Sequence, residues 1–155
     1  MTTWAFVPAF GRGITNLLLS EMLKSKLDSF DAVFTQEDLR EHFQDKGYDV
    51  VYGYQKEGGY ISTLSLVRQF ACLLKQGDEI YIIAARPHMF RVKRDLLKVI
   101  ELQHKSDVTI LKEYSPLISF HYLNKQFWTT NPVWWWIREF PLRLLPWGLY
   151  ARITF

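Results

Sequence analysis

The sequence predicts a three-layer, Rossmann-like α/β fold, with a mostly parallel sheet of about five strands and helices on both faces. Three observations predict it. Short β-branched or aromatic runs alternate with segments of helical periodicity through residues 4–113. The links between them are brief, and Gly11, Gly13, Gly47, Gly77 and Pro87 punctuate the junctions. The run EIYIIAA, residues 79–85, shows no polar alternation, as expected of a central strand covered on both sides.

WAFVPAF, residues 4–10, is apolar and stops at Gly11 and Gly13. Residues 14–27 follow with helical spacing, and Ile14, Leu17, Leu18, Met22, Leu23 and Leu27 form the expected buried face. DAVFT, 31–35, reads as a strand, and residues 37–47 read as a helix stopped by Gly47. YDVVYGY, 48–54, is a further strand. Ser62 is placed to cap a helix running to Gln76, with Leu66, Val67, Phe70, Leu73 and Leu74 inward. After the 79–85 strand, Pro87 suits a first helical turn, and Met89, Val92, Leu96, Val99 and Ile100 make the inward stripe. DVTILKE, 107–113, is the last strand of the pattern.

The chain has 155 residues, enough for one domain, 1–155, and one core. Apolar residues at 48% and charged residues at 23% describe a globular chain. The net charge of +3 admits an anionic partner and gives no reason to expect nucleic acid. Cys72 is the single cysteine, so no internal disulfide forms, and its FACLL setting predicts a buried, unreactive thiol. MTTWAFVPAF has neither the basic start nor the apolar stretch of a signal peptide, and no run reaches the ~20 apolar residues of a membrane span. The expectation is a cytoplasmic protein.

From Tyr114 the pattern changes. The segment 114–155 holds four prolines and five of the six tryptophans. Residues 131–145 read as a proline-flanked helix, and YARITF as a final strand or an extended tail. Two readings stand side by side. The segment folds back over the sheet, or residues 131–150 make a peripheral membrane contact, where Trp and Arg are favoured.

An open parallel sheet binds ligands beyond the carboxyl ends of its strands. That rule selects the loops AFGRG (9–13), TQED (35–38), QKEGGYIST (55–63) and AARPH (84–88). FGRG lacks the third glycine of a dinucleotide fingerprint, and Gly11 and Gly13 also suit a tight strand-to-helix turn. His88, Arg91 and Asp95 share one helix face, and the inward stripe would turn His88 and Arg91 out towards the crevice. Arg94 is then an exposed charge off the first turn. There is no phosphate-loop motif, no HExxH and no metal-ligand spacing among the histidines.

The order of these loops resembles the YdcF/SanA/ElyC-like domains, a bacterial family long described only as a domain of unknown function. AARPHMFRV is similar to the family's strand-end motif, with a histidine at His88 and an arginine at Arg91. KEGGYIST resembles its acid-then-hydroxyl element, at Glu57 and Thr63, FGRG falls at its first loop, and REF, 138–140, resembles a Glu-aromatic element near its end. The family's Thr-Ser pair before the histidine is Ala84-Ala85 here, and its Gly-rich second loop is Thr35-Gln36-Glu37. The resemblance implies a small anionic or nucleotide-like ligand, with S-adenosylmethionine a candidate, at Gly11, Arg12, Gly13, Glu57, Thr63, Arg86, His88 and Arg91. Within it His88 is the candidate catalytic group, as a donor or general acid, and Arg91 the clamp for a phosphate or carboxylate. The sequence assigns no reaction.

Overall fold

The structure is a computed structural model describing residues 1–11, 13–42, 49–54, 61–105, 107–117 and 119–153, with Glu41 and His42 described in backbone only. Its centre is a five-stranded sheet of order β3-β2-β1-β4-β5. The strands are β1 (Thr3–Val7), β2 (Ala32–Gln36), β3 (Asp49–Gly53), β4 (Glu79–Ile83) and β5 (Thr109–Tyr114). Every pairing is parallel, with registers such as Phe6↔Phe34 and Phe6↔Ile82. The expected α/β architecture is therefore present.

Side-chain alternation along β1 divides the core. Phe6 points to one face, where Phe34, Ile80 and Ile82 meet α2 (Thr63–Leu73) and α3 (Arg86–Leu102). Phe70 of α2 stacks on Phe6 at 4.8 Å and lies tilted against Phe34 at 5.1 Å between ring centres. Ala5 and Val7 point to the other face, with Val33 and Ile83, against Leu19 and Leu23 of α1 (Ile14–Lys24). Ser62 caps α2 as expected, its Oγ accepting from the Ser65 N–H at 3.1 Å.

The structure corrects four expectations of local structure. The buried side of α1 is Thr15, Asn16, Leu19, Ser20 and Leu23, while Leu17 is exposed. Thr15 and Asn16 hold inward places because they bind the neighbouring loops, and the Ser20 hydroxyl donates to the Leu17 carbonyl of its own helix. Cys72 is exposed, since α2 buries Leu66, Val67, Phe70 and Ala71 and the next inward position is Leu74. Phe70, Ala71 and Leu74 turn inward, and Cys72 turns out. Residues Glu37–His42 form a 3-10 turn, and the rest of the expected 37–47 helix lies outside the described residues. The chain's last described element is a helix, α5 (Trp147–Ile153), in place of a strand or extended tail.

The aromatic segment folds back. A 3-10 turn, Phe127–Thr129, leads to α4 (Pro132–Leu144), capped by the Asn131 side chain accepting from the Val133 N–H at 2.8 Å. Trp135 of α4 enters the α1-side core, and Tyr150 of α5 enters the α2/α3-side core. No described helix is long and apolar enough to cross a membrane.

Candidate functional site

β1 and β4 are neighbours, yet β1 leads to α1 on one face and β4 leads to α3 on the other. Their diverging loops open a crevice at the carboxyl ends of the strands. It is a cavity of about 20 Å³, lined by Phe10, Gly11, Gln36, Thr63, His88 and Arg91, with Trp135 and Arg138 of α4 above them. That volume holds roughly one water.

Gln36 ends β2 and its Oε1 accepts from the Ala9 N–H at 2.6 Å. Asn16 Oδ1 accepts from the Phe10 N–H at 2.7 Å. These amides give the β1 loop its shape. Gly11 takes φ +86, and a Cβ there would lie 2.4 Å from Thr129 Oγ1. Gly13 admits the Leu123 carbonyl, which a Cβ would meet at 2.8 Å. The FGRG glycines thus let residues 123–129 press onto the loop. Asn124 completes that contact, its Nδ2 donating to Thr15 Oγ1 at 2.9 Å and to the Thr129 carbonyl at 3.0 Å.

His88 sits in the first turn of α3, directly after β4, and is 6% exposed. Its Nε2 is 2.8 Å from Thr63 Oγ1, at the start of α2. Its ring lies 5.7 Å from Phe10 and 5.8 Å from Trp135. Nδ1 is buried and has no protein partner among the described residues. Burial, with Arg91 and Arg138 adding to it, holds the imidazole pKa well below its ordinary value. The ring is neutral at pH 7 and keeps one nitrogen free to donate or accept.

Arg91 faces the same way as His88 but is not an open clamp. It is 3% exposed and forks onto Glu139, itself 1% exposed. Nε donates to Oε1 at 3.1 Å and Nη2 donates to Oε2. Arg143 Nε lies 3.6 Å from the same carboxylate. Asp95, one turn on, accepts from the Tyr150 hydroxyl at 2.5 Å and from Arg94 Nη2 at 3.0 Å. Burial raises the Asp95 carboxyl above its ordinary pKa, and raises the Tyr150 hydroxyl likewise. The shared His88–Arg91–Asp95 face is real, then, but it is covered. Arg94, expected as an exposed charge, lies over the Tyr150 ring at 4.1 Å.

The structure brings Gly11, Thr63, His88 and Arg91 to one cavity, with Gly13 just behind the Gly11 turn. It separates Arg86 from them. The Arg86 N–H donates to Ser119 Oγ at 3.1 Å, and its side chain lines a different groove, with Phe90 and Trp136. Arg12 and Glu57 lie outside the described residues. Sequence reasoning missed Asn16, Gln36, Asn124 and Trp135. Asn16 and Gln36 carry a local signal, polar residues at the junctions of β1 and β2. Asn124 and Trp135 carry none, because the chain returns to the site over a long connection. Among the described residues no group of three His, Cys, Asp or Glu side chains is placed to hold a metal ion. Comparison with protein-family models, with curated proteins and with solved structures finds no match.

Proposed function

We propose that the chain is a YdcF-like ligand-binding domain that takes the anionic end of a small molecule at the switch point between β1 and β4. The observation that carries this reading is His88. A neutral imidazole keeps an Nδ1 that has no partner among the described residues, beside a cavity lined by Thr63, Gln36 and Arg138. A buried polar atom left unpaired in a folded protein calls for a partner. Arg138 brings positive charge to the same cavity, and Asp38 lines it too. The Arg91 charge is shared with Glu139.

A cavity of about 20 Å³ does not fit S-adenosylmethionine or another whole nucleotide. A ligand of that size needs α4 displaced, while a phosphate or carboxylate group needs less room. No reaction is assigned. His88 is neutral and so serves first as a hydrogen-bonding group.

The test is a thermal-shift panel of inorganic phosphate, sugar phosphates, nucleotides and S-adenosylmethionine. A ligand present at a hundred times its Kd stabilises by about 2.7 kcal/mol, a readily measured rise in melting temperature. His88→Gln and Thr63→Val should weaken the response while leaving the protein folded. A panel that leaves the wild-type melting temperature unmoved overturns the proposal.

A further inference from the structure

α4 has two apolar sides. Trp135 and Glu139 face the crevice and are buried. Val133, Trp136, Ile137, Phe140 and Leu144 recur at helical spacing on the outer side, where Ile137 is 57% exposed, Phe140 60% and Leu144 69%. A helix covering a core normally turns polar residues to solvent. Here the outer stripe continues into Phe127 and Trp128 of the preceding turn, both exposed. Contiguous apolar surface of this kind marks an interaction site.

The charges around it identify the occupant. From residue 115 to 155 the only carboxylate side chain is Glu139, and it is buried under Arg91 and Arg143. The same stretch carries Lys125, Arg138, Arg143 and Arg152. Beside the stripe lies a groove of about 500 Å³ with Arg86 and Arg143 in its walls and Phe90, Leu117, Phe120 and Trp136 between them. Arg143 stacks over the rings of Phe90 at 4.4 Å and Trp136 at 4.6 Å. Apolar stripe, tryptophans and arginines without acids describe a helix lying in the interfacial plane of a negatively charged bilayer. A second copy of the chain fits poorly. A two-fold contact would set this cationic face against itself, and residues 115–155 offer it no exposed acid. α4, at 13 residues, is too short to span a bilayer, so the contact is peripheral.

We infer that the outer face of α4, with the Arg86–Arg143 groove, docks the protein on anionic lipid surfaces. The full chain should co-sediment with vesicles of phosphatidylcholine mixed with phosphatidylglycerol, and much less with phosphatidylcholine alone. Added salt should weaken the binding by screening the arginines. Ile137→Glu and Phe140→Glu should each lower partitioning about tenfold or more, since a charge enters apolar lipid poorly. Both positions are exposed, so the melting temperature should hold. Leu17→Glu, on the exposed side of α1, is the matched control and should bind as the wild type does. Absence of binding to mixed vesicles overturns the inference, as does equal loss with Leu17→Glu. Concentration-dependent dimerisation that Phe140→Glu abolishes would also overturn it, showing that the face pairs with itself.

Discussion

Arg91 shows what burial does to a residue chosen for its charge. As a surface clamp it would be dispensable for folding. Paired with Glu139, at 3% and 1% exposure, it is a strut between α3 and α4. Removing one member of such a pair leaves the other charge buried and unmatched, at a cost of about 3–5 kcal/mol. Arg91→Ala should therefore lower stability by that order, and Glu139→Ala similarly. The double variant, which leaves neither charge stranded, should be less destabilised than the two single losses added together, and urea unfolding of all four proteins gives the coupling directly. His88 makes a second prediction. Its folded pKa is depressed and its unfolded value is near 6.5. Below that value the unfolded chain binds a proton that the folded chain resists, so stability falls as pH drops from about 7 and is regained as it rises. The slope approaches about 1.4 kcal/mol per pH unit for one proton. His88→Gln keeps a hydrogen-bonding group and cannot titrate, so it should flatten the profile between roughly pH 7 and 5. An unchanged slope would mean that His88 is not held neutral.

α5 illustrates how an element short of intrinsic stability is held by its packing against the core. A seven-residue helix is marginal alone in water. Tyr150 anchors it, buried in the core with its hydroxyl on Asp95. Tyr150→Phe keeps the ring but takes the hydroxyl donor away from the buried Asp95 carboxyl. It should destabilise by about 1–3 kcal/mol and raise amide exchange in residues 147–153 before the sheet responds. Uniform exchange across the chain would show instead that α5 opens only with global unfolding. The same element marks a limit of sequence reading. The five strands were legible as short apolar, β-branched or aromatic runs between turn residues, and α2 and α3 because a local period of 3.6 states which side is buried. α5 is not, because YARITF has too few residues to show a period. α1 misled for a different reason. Its inward side carries Thr15, which donates to the distant Ser119 carbonyl, Asn16, which accepts from the Phe10 N–H of the preceding loop, and Ser20, which donates to the Leu17 carbonyl of its own helix.

Across the whole molecule, the sheet order places the crevice where the first and fourth loops meet, and both were found from sequence. What sequence could not supply was the cover. Asn124 and Trp135 reach the site over a connection whose path depends on the finished sheet, and no local pattern encodes it; Glu139 was marked only by the REF resemblance. The two readings of the aromatic segment, folded back or membrane-facing, also proved not to exclude each other. Trp135 and Tyr150 fold inward while Trp136, Ile137 and Phe140 remain outside. On the two proposals above, this two-sidedness of α4 joins two equilibria. A bilayer that holds the outer stripe fixes the orientation of the same helix whose inner side closes on His88 and Arg91. Any ligand that needs the helix lifted then works against that attachment. By reciprocity it loosens the protein from the lipid by the factor with which the lipid disfavours the ligand. One helix thus makes surface residence and crevice occupancy draw on a shared free energy, with neither site needing to touch the other.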